Sequence, residues 1–317
     1  MKKTKIAFSG IGGVGGYYGG RMAARYANDP QVEIDFMGRG ENLRVIQSQG
    51  ITINLEQEGR RIIAHPNKAT DVPAEIGPVD YLFCCTKGYD LEANIRQLQP
   101  MIGSETIVIP LLNGLGIPER IQALCPGRTI WGGCVYIGAR LIAPGMVSLF
   151  SKKERFYFGG KSYPERQTTL LKLLTEAGIN AFNPEDIQQR IWKKFYMIST
   201  AATTTSYFDQ PLDEVISQHQ EEFIAISKEL AAVAHAAHAG LPDDIVASSL
   251  AAQQMMPPGS TTSMHTDFKK DKPTELESLT GYVIRLGEQL GIATPTYRRM
   301  YEKLAGSLPP HSTLSST

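Results

Sequence analysis

The chain is poor in the residues and patterns that would mark a metalloprotein, a nucleic-acid binder or a membrane protein. It has four cysteines in 317 residues, Cys84, Cys85, Cys125 and Cys134. None has metal-ligand spacing, and the adjacent pair lies in an apolar run, so they read as buried thiols. Nor is there an excess of one charge. Lys+Arg and Asp+Glu stand at 32 each, a formal net charge of zero. That balance gives no support to a nucleic-acid or anionic-membrane partner. No apolar stretch approaches the roughly 18 residues of a membrane span. Met1-Lys2-Lys3-Thr4 leads straight into an apolar strand with no signal-peptide pattern, so the expected location is cytoplasmic. His235 and His238 share a helical face, but no carboxylate or cysteine completes a ligand set around them, and no metal is expected.

What is present suits an ordinary globular chain, 42% hydrophobic and 20% charged, and long enough for two domains. Its most informative stretch is Lys5–Gly20, KIAFSGIGGVGGYYGG. Ile6, Ala7 and Phe8 predict a strand, and a helix follows. Between them, Gly10-Ile11-Gly12-Gly13-Val14-Gly15 satisfies G-x-G-x-x-G. In that context the first glycine makes the turn, the second lets backbone approach a pyrophosphate, and the third lets helix pack on strand. The helix N-terminus then holds the anion. A dinucleotide is the expected ligand.

Further strand ends carry polar residues. Val32–Met37 alternates as a strand does and ends at Gly38-Arg39-Gly40, with Arg44 one helical turn on. An acidic residue at this point would suit the ribose hydroxyls of NAD; Arg39 suits a 2′-phosphate, and predicts NADP(H). Ile51–Leu55 and Arg61–Ala64 predict two short strands about the turn Glu56–Gly59, a hairpin or an excursion from the main sheet. Asp80–Cys85 reads as a strand buried on both faces and emits Thr86-Lys87. A helix over Asp90–Met101 precedes a strand over Thr106–Leu112, which ends in Asn113-Gly114-Leu115-Gly116. Arg39, Lys87 and Asn113 are therefore expected to converge on one crevice. Ile130–Ile137 predicts another strand, followed by Gly138-Ala139-Arg140; Val147–Phe150, Arg155–Gly159 and Ile179–Phe182 add more, and Glu165–Ala177 a helix.

From Asn183 the strand pattern stops. Helices are predicted over Ile187–Thr203, Glu214–Ala239, Asp244–Met256, Glu275–Leu290 and Pro295–Leu308, with Ala231–Ala239 as a central buried segment and His311–Thr317 as a polar tail. Within this half, Arg190–Phe195 sets a lysine pair between apolar anchors. Ser260–Gly281 is a long polar loop that leads to an acid, Glu275, just inside a helix start.

These pieces together resemble the ketopantoate reductase (2-dehydropantoate 2-reductase) family over nearly the whole chain. The residues that carry the likeness are Gly10–Gly15, Arg39, Thr86-Lys87, Asn113–Gly116, Trp192-Lys193-Lys194, Ser263-Met264 with Asp267, and Pro273-Thr274-Glu275. The resemblance implies an α/β Rossmann-type N-terminal domain (1–182) followed by an all-α C-terminal domain (183–317), the 6-phosphogluconate dehydrogenase-like arrangement, with the active site between them. It implies NADPH-dependent reduction of a 2-keto acid, ketopantoate, to its hydroxy acid in pantothenate and coenzyme A synthesis. Lys194 and Glu275 match the catalytic lysine and glutamate. Gly10, Gly12, Gly13, Val14, Gly15, Arg39, Lys87, Asn113, Ala139 and Glu275 match cofactor-binding positions. Asn113, Lys194 and Ser263 match substrate-binding ones. The chain departs from the family at Ile198 and Ala202, where asparagines are common, and also at Leu212 and Ser260. Those departures leave open the reductase of a different 2-keto acid, and, further off, a non-catalytic NADP(H)-binding protein. A homodimer is compatible with the sequence.

Overall fold

The computed structural model describes residues 3–308; the tail at 311–317 lies outside them. In chain order the strands are β1 (Thr4–Ser9), β2 (Val32–Met37), β3 (Ile51–Leu55), β4 (Arg60–Ala64), β5 (Lys68–Thr70), β6 (Tyr81–Cys84) and β7 (Ile107–Pro110). They continue with β8 (Thr129–Ile130), β9 (Gly132–Tyr136), β10 (Ala139–Ala143), β11 (Met146–Leu149), β12 (Arg155–Gly159) and β13 (Ala181–Phe182). The chain divides into two compact units. One holds the chain up to Leu112 with Gly116–Ile187, and the other holds Asn113–Leu115 with the chain from Gln188 onward.

In the first unit, six parallel strands run in the order β5-β2-β1-β6-β7-β8. This is the doubly wound arrangement, whose order reverses beside β1. Both faces are covered, which is why these strands read as nearly continuous apolar runs. Ile6, Phe8, Ile34 and Phe36 enter one core, and Ala7, Leu82, Cys84 and Val108 the other. Phe8 stacks on Phe83 with ring centroids 4.7 Å apart and meets Phe36 edge-on. The Gly13–Tyr26 helix lies close against this sheet because its glycines leave room. A Cβ on Gly19 would come within 2.8 Å of the Phe36 ring.

The expected hairpin forms, β3 antiparallel to β4, and joins β11 and β10 in a separate four-stranded sheet, β10-β11-β3-β4. The strand expected over Ile130–Ile137 is two. β8 closes the main sheet, and after the buried Trp131 the chain turns into β9 of a third sheet, β13-β12-β9. The Trp131 N–H still donates to Val108 O, so the switch follows the last main-sheet bond. The short β5 and β10 were not expected: β5 carries no apolar run, and the Leu141-Ile142-Ala143 run of β10 is exposed.

The second unit is helical: Ile187–Phe208, Leu212–Gln218, Gln220–Ala236, Ile245–Gln254, Ser263–Phe268, Tyr282–Leu290 and Pro295–Gly306. Phe195, Tyr196, Leu230, Val283, Tyr297 and Met300 are among its core residues. The helix expected over Glu214–Ala239 breaks at His219, whose φ of −131° is not helical, and ends at Ala236. The helix expected from Glu275 begins with a π turn, Glu277–Gly281. Ser263–Phe268, expected as loop, is a short helix capped by the Thr262 hydroxyl, which accepts from the His265 N–H. The expected boundary near Asn183 lies instead between Ile187 and Gln188, and Asn113–Leu115 falls in the helical unit.

Candidate active site

The glycine turn sits at the C-terminal end of β1. Gly10 has φ +89°, and a Cβ there would meet the Cys85–Thr86 backbone at 2.8 Å, so only glycine fits. A Cβ on Gly13 or Gly15 would strike backbone as well, the carbonyl of Ala139 in the first case and that of Gly10 in the second. Ala139, at the start of β10, thus backs directly onto the turn. Gly12 differs, because a Cβ there would meet no atom within 4 Å. It is also the N-cap of the Gly13–Tyr26 helix, and no side chain caps that end. Open space beside uncapped helical N–H groups is what an approaching diphosphate requires. Next to the turn, Thr86 Oγ1 is buried with no hydrogen-bond partner among the described residues. The residues present therefore fit a dinucleotide.

Arg39 begins the turn after β2, and its side chain is 88% exposed. Its guanidinium Nη2 stands 3.3 Å from Asp90 Oδ2. Asp90 follows the half-buried Lys87, whose carbonyl accepts from the Asp90 N–H at 3.0 Å. Two of the three expected strand ends thus meet through Arg39 and Asp90, a residue the sequence reading missed. A carboxylate three residues after Lys87 was the available signal.

The third, Asn113, belongs to the helical unit. After β7 the chain passes through Asn113 to Leu115, which is buried in the helical core at 5% exposure. Glycines with φ of +126° and +68°, Gly114 and Gly116, make this detour possible. Asn113 Oδ1 accepts a hydrogen bond from Lys194 Nζ at 2.8 Å. Lys194 is half-buried on the Ile187–Phe208 helix, between Trp192 and Phe195, whose rings meet edge-on. The amide carbonyl, an acceptor only, holds the lysine Nζ in place.

Glu275 is 3% exposed, and its carbonyl accepts from Leu279 N–H at the entry to the π turn. A π turn in a helix is often found at functional sites. Ser263 is the exposed first residue of its short helix. On the Lys194 helix, the positions four and eight residues on are the half-buried Ile198 and the buried Ala202. His235 is exposed, and His238 lies two residues beyond the helix end, at φ +52°. No cluster of three or more His, Cys, Asp or Glu able to hold a metal occurs among the described residues. No helix there is long and apolar enough to cross a membrane.

A parallel-sheet unit with a glycine phosphate turn, joined to a helical unit that carries a lysine held by an amide, defines a nicotinamide-dependent oxidoreductase of two domains. Residues 6–162 match the model described as ketopantoate reductase PanE/ApbA, and residues 186–307 match its C-terminal counterpart. The chain belongs to the ketopantoate reductase family, whose members are oxidoreductases acting on CH–OH groups. It is 40% identical to a solved 2-dehydropantoate 2-reductase from Porphyromonas gingivalis W83, covering 96% of this chain and 100% of that one, with a TM-score of 0.85. A curated 2-dehydropantoate 2-reductase from Mesorhizobium japonicum is 27% identical over 92% of this chain and 94% of its own length. A D-mandelate dehydrogenase solved with NADH and anilino(oxo)acetate is 25% identical over 96% of this chain and 98% of its own, with a TM-score of 0.82.

Proposed function

We propose that the chain reduces 2-dehydropantoate to pantoate with NADPH, the step that feeds pantothenate and coenzyme A synthesis. The observation that carries this reading is the Lys194 ammonium held by Asn113 Oδ1 at 2.8 Å. Bound NADPH supplies a hydride equivalent to the keto carbon. Lys194 stabilises the negative charge that develops on the carbonyl oxygen and delivers a proton to it from Nζ. Asn113 orients that ammonium and offers its own amide N–H₂ to the reactants. Ser263 receives the substrate carboxylate, and the buried Glu275 hydrogen-bonds the substrate and the cofactor ribose. Gly10, Gly12, Gly13, Val14 and Gly15, with Ala139 behind them, hold the diphosphate. Lys87 adds positive charge on the cofactor side, and Arg39 pairs with the 2′-phosphate in place of Asp90.

A second reading is favoured by Ile198 and Ala202. Neither offers a donor to a substrate hydroxyl, and a site built to pair a hydroxyl discriminates far more strongly than an apolar one. On this reading the substrate is a 2-keto acid with an apolar side chain, as the likeness to the D-mandelate dehydrogenase supports.

Both are tested by NADPH oxidation with ketopantoate and with aryl and branched 2-keto acids, run beside NADH and compared by kcat/KM. The highest value with ketopantoate and NADPH supports the first reading; an aryl or branched acid in first place supports the second. Lys194→Ala should lower kcat by about 10²–10⁴-fold on whichever substrate is best. Near-normal turnover would remove Lys194 from the chemistry.

A further inference from the structure

Ser263 lies in a segment that is tied to the helical unit by its neighbours. Leu212 N–H donates to Ser260 O at 2.8 Å, and the hydroxyls of Thr205 and Thr262 meet at 3.0 Å. His265 makes the third tie. It is 4% exposed, its Nε2 lies 2.7 Å from Asp209 Oδ1, and its Nδ1 lies 2.6 Å from Thr261 Oγ1. Asp209 follows directly on the Ile187–Phe208 helix, at φ +53°, with Lys269 Nζ 3.5 Å from the same oxygen.

The hydrogens in this chain of contacts are determined by chemistry. An ionised carboxylate can only accept, so Nε2 carries the hydrogen; in a neutral ring Nδ1 then accepts from the Thr261 hydroxyl. The imidazole cannot turn without losing both bonds. His265 N–H also donates to Thr262 Oγ1 at 3.2 Å. Residues 261, 262 and 265 are thereby fixed, and Ser263 and Met264 are the two residues they enclose, Ser263 exposed and Met264 buried. The helix to which they are fixed is the one that carries Lys194, about three turns before Thr205.

We infer that His265 is a positioning residue: the Asp209–His265–Thr261 chain fixes Ser263 relative to Lys194, so that the carboxylate and the carbonyl of one 2-keto acid are gripped at a set separation. This rests on the roles of Ser263 and Lys194 proposed above. It assigns His265 to substrate binding and leaves cofactor binding and the proton transfer to other residues.

The test is a double-mutant cycle read in KM for the preferred 2-keto acid. His265→Leu fills the site without either bond. It should raise KM about tenfold or more, change kcat less than about threefold, and leave NADPH affinity, measured by cofactor fluorescence, unchanged. His265→Gln, which keeps a donor toward Asp209, should restore KM to within about threefold of the parent. In a Ser263→Ala background the His265→Leu effect should fall below about twofold, since a residue acting through another cannot act once that one is gone. Asp209→Ala, at an exposed residue, repeats the cycle if His265→Leu does not fold. An unchanged KM in His265→Leu overturns the inference, as does an undiminished effect without Ser263, or an equal loss of NADPH affinity. If Ser263→Ala alone leaves KM unchanged, the failure lies in the proposed role of Ser263. If Ser263→Ala raises KM and His265→Leu does not, it lies with His265.

Discussion

In the sheet unit Asp35 is buried at 0% exposure in the middle of β2, and neither carboxylate oxygen has a hydrogen-bond partner among the described residues. In the helical unit Ser199, Thr200, Thr203, Thr204 and Thr205 are just as buried, and all five hydroxyls are bonded. Backbone geometry accounts for the contrast. A central strand spends its N–H and C=O groups on its two neighbours, here β1 and β5, and leaves none for a side chain that points into the helix layer. A helix carbonyl has a second lone pair, which a Ser or Thr four residues on can reach. Thr200, Thr204 and Thr205 bond in this way to Tyr196 O, Thr200 O and Ala201 O. Thr203 instead pairs with Thr280 of the π turn at 2.8 Å, and Ser199 with Leu279 O and Tyr297 OH. A polar spine thus joins the Lys194 helix to the Glu275 segment.

The sharpest way to break this contrast is pH. Burial, with help from the neighbouring Glu33 charge and against Lys5 and Lys68, pushes the Asp35 carboxyl up to about 7. The folded chain therefore holds a proton that the unfolded chain releases near pH 4. Stability should fall as pH rises from about 4 through about 7 and then level off, a loss of up to about 4 kcal/mol. Asp35→Asn should lack that slope. Urea unfolding at pH 5 and pH 8 measures it, and parallel slopes in the two proteins would show that Asp35 carries no buried proton.

Next in size is the glycine turn. Gly10→Ala should cost roughly 2–3 kcal/mol, since it adds a left-handed backbone to a backbone clash. Gly12→Ala should leave the melting temperature within a degree or two of the parent while weakening NADPH binding about tenfold or more, because its Cβ enters open space that the diphosphate needs. Thermal unfolding with and without NADPH separates these outcomes. Equal losses of stability at the two positions would contradict the division of labour between them.

The smallest effect tests the helical spine. Thr203→Val and Thr280→Val should each cost about 1–2 kcal/mol by stranding the other hydroxyl, and the double variant should cost less than their sum. Strict additivity in denaturant titrations would mean that the two hydroxyls do not depend on one another.

The legible part of this molecule was the part written in local conformation. Gly10 and Gly15 announce themselves because turn and close approach admit nothing else, and the apolar runs of β1, β6 and β7 follow from burial on both faces. The strand over Val32–Met37 was legible from its alternation, but its burial was not: alternation commonly marks a sheet with one solvated face, and in a sheet covered by helices Asp35 has no solvent to face. Trp131, an apolar residue inside an apolar run, gave no sign that the chain changes sheets there. In the helical unit, Lys194 and Glu275 were reachable through resemblance. Asp90 and the Asp209–His265–Thr261 chain were not, because their meaning lies in partners 51 and 56 residues away in sequence.

The excursion of Asn113–Leu115 has a consequence for anyone who would take this protein apart. A cut at Ile187 separates the chain neatly on paper, but the released C-terminal piece lacks the leucine that fills its own core and the amide that holds its lysine. Grafting that half onto another nucleotide-binding domain calls for carrying three borrowed residues along, so inheritance and recombination would have to treat a short loop and a distant lobe as one cassette.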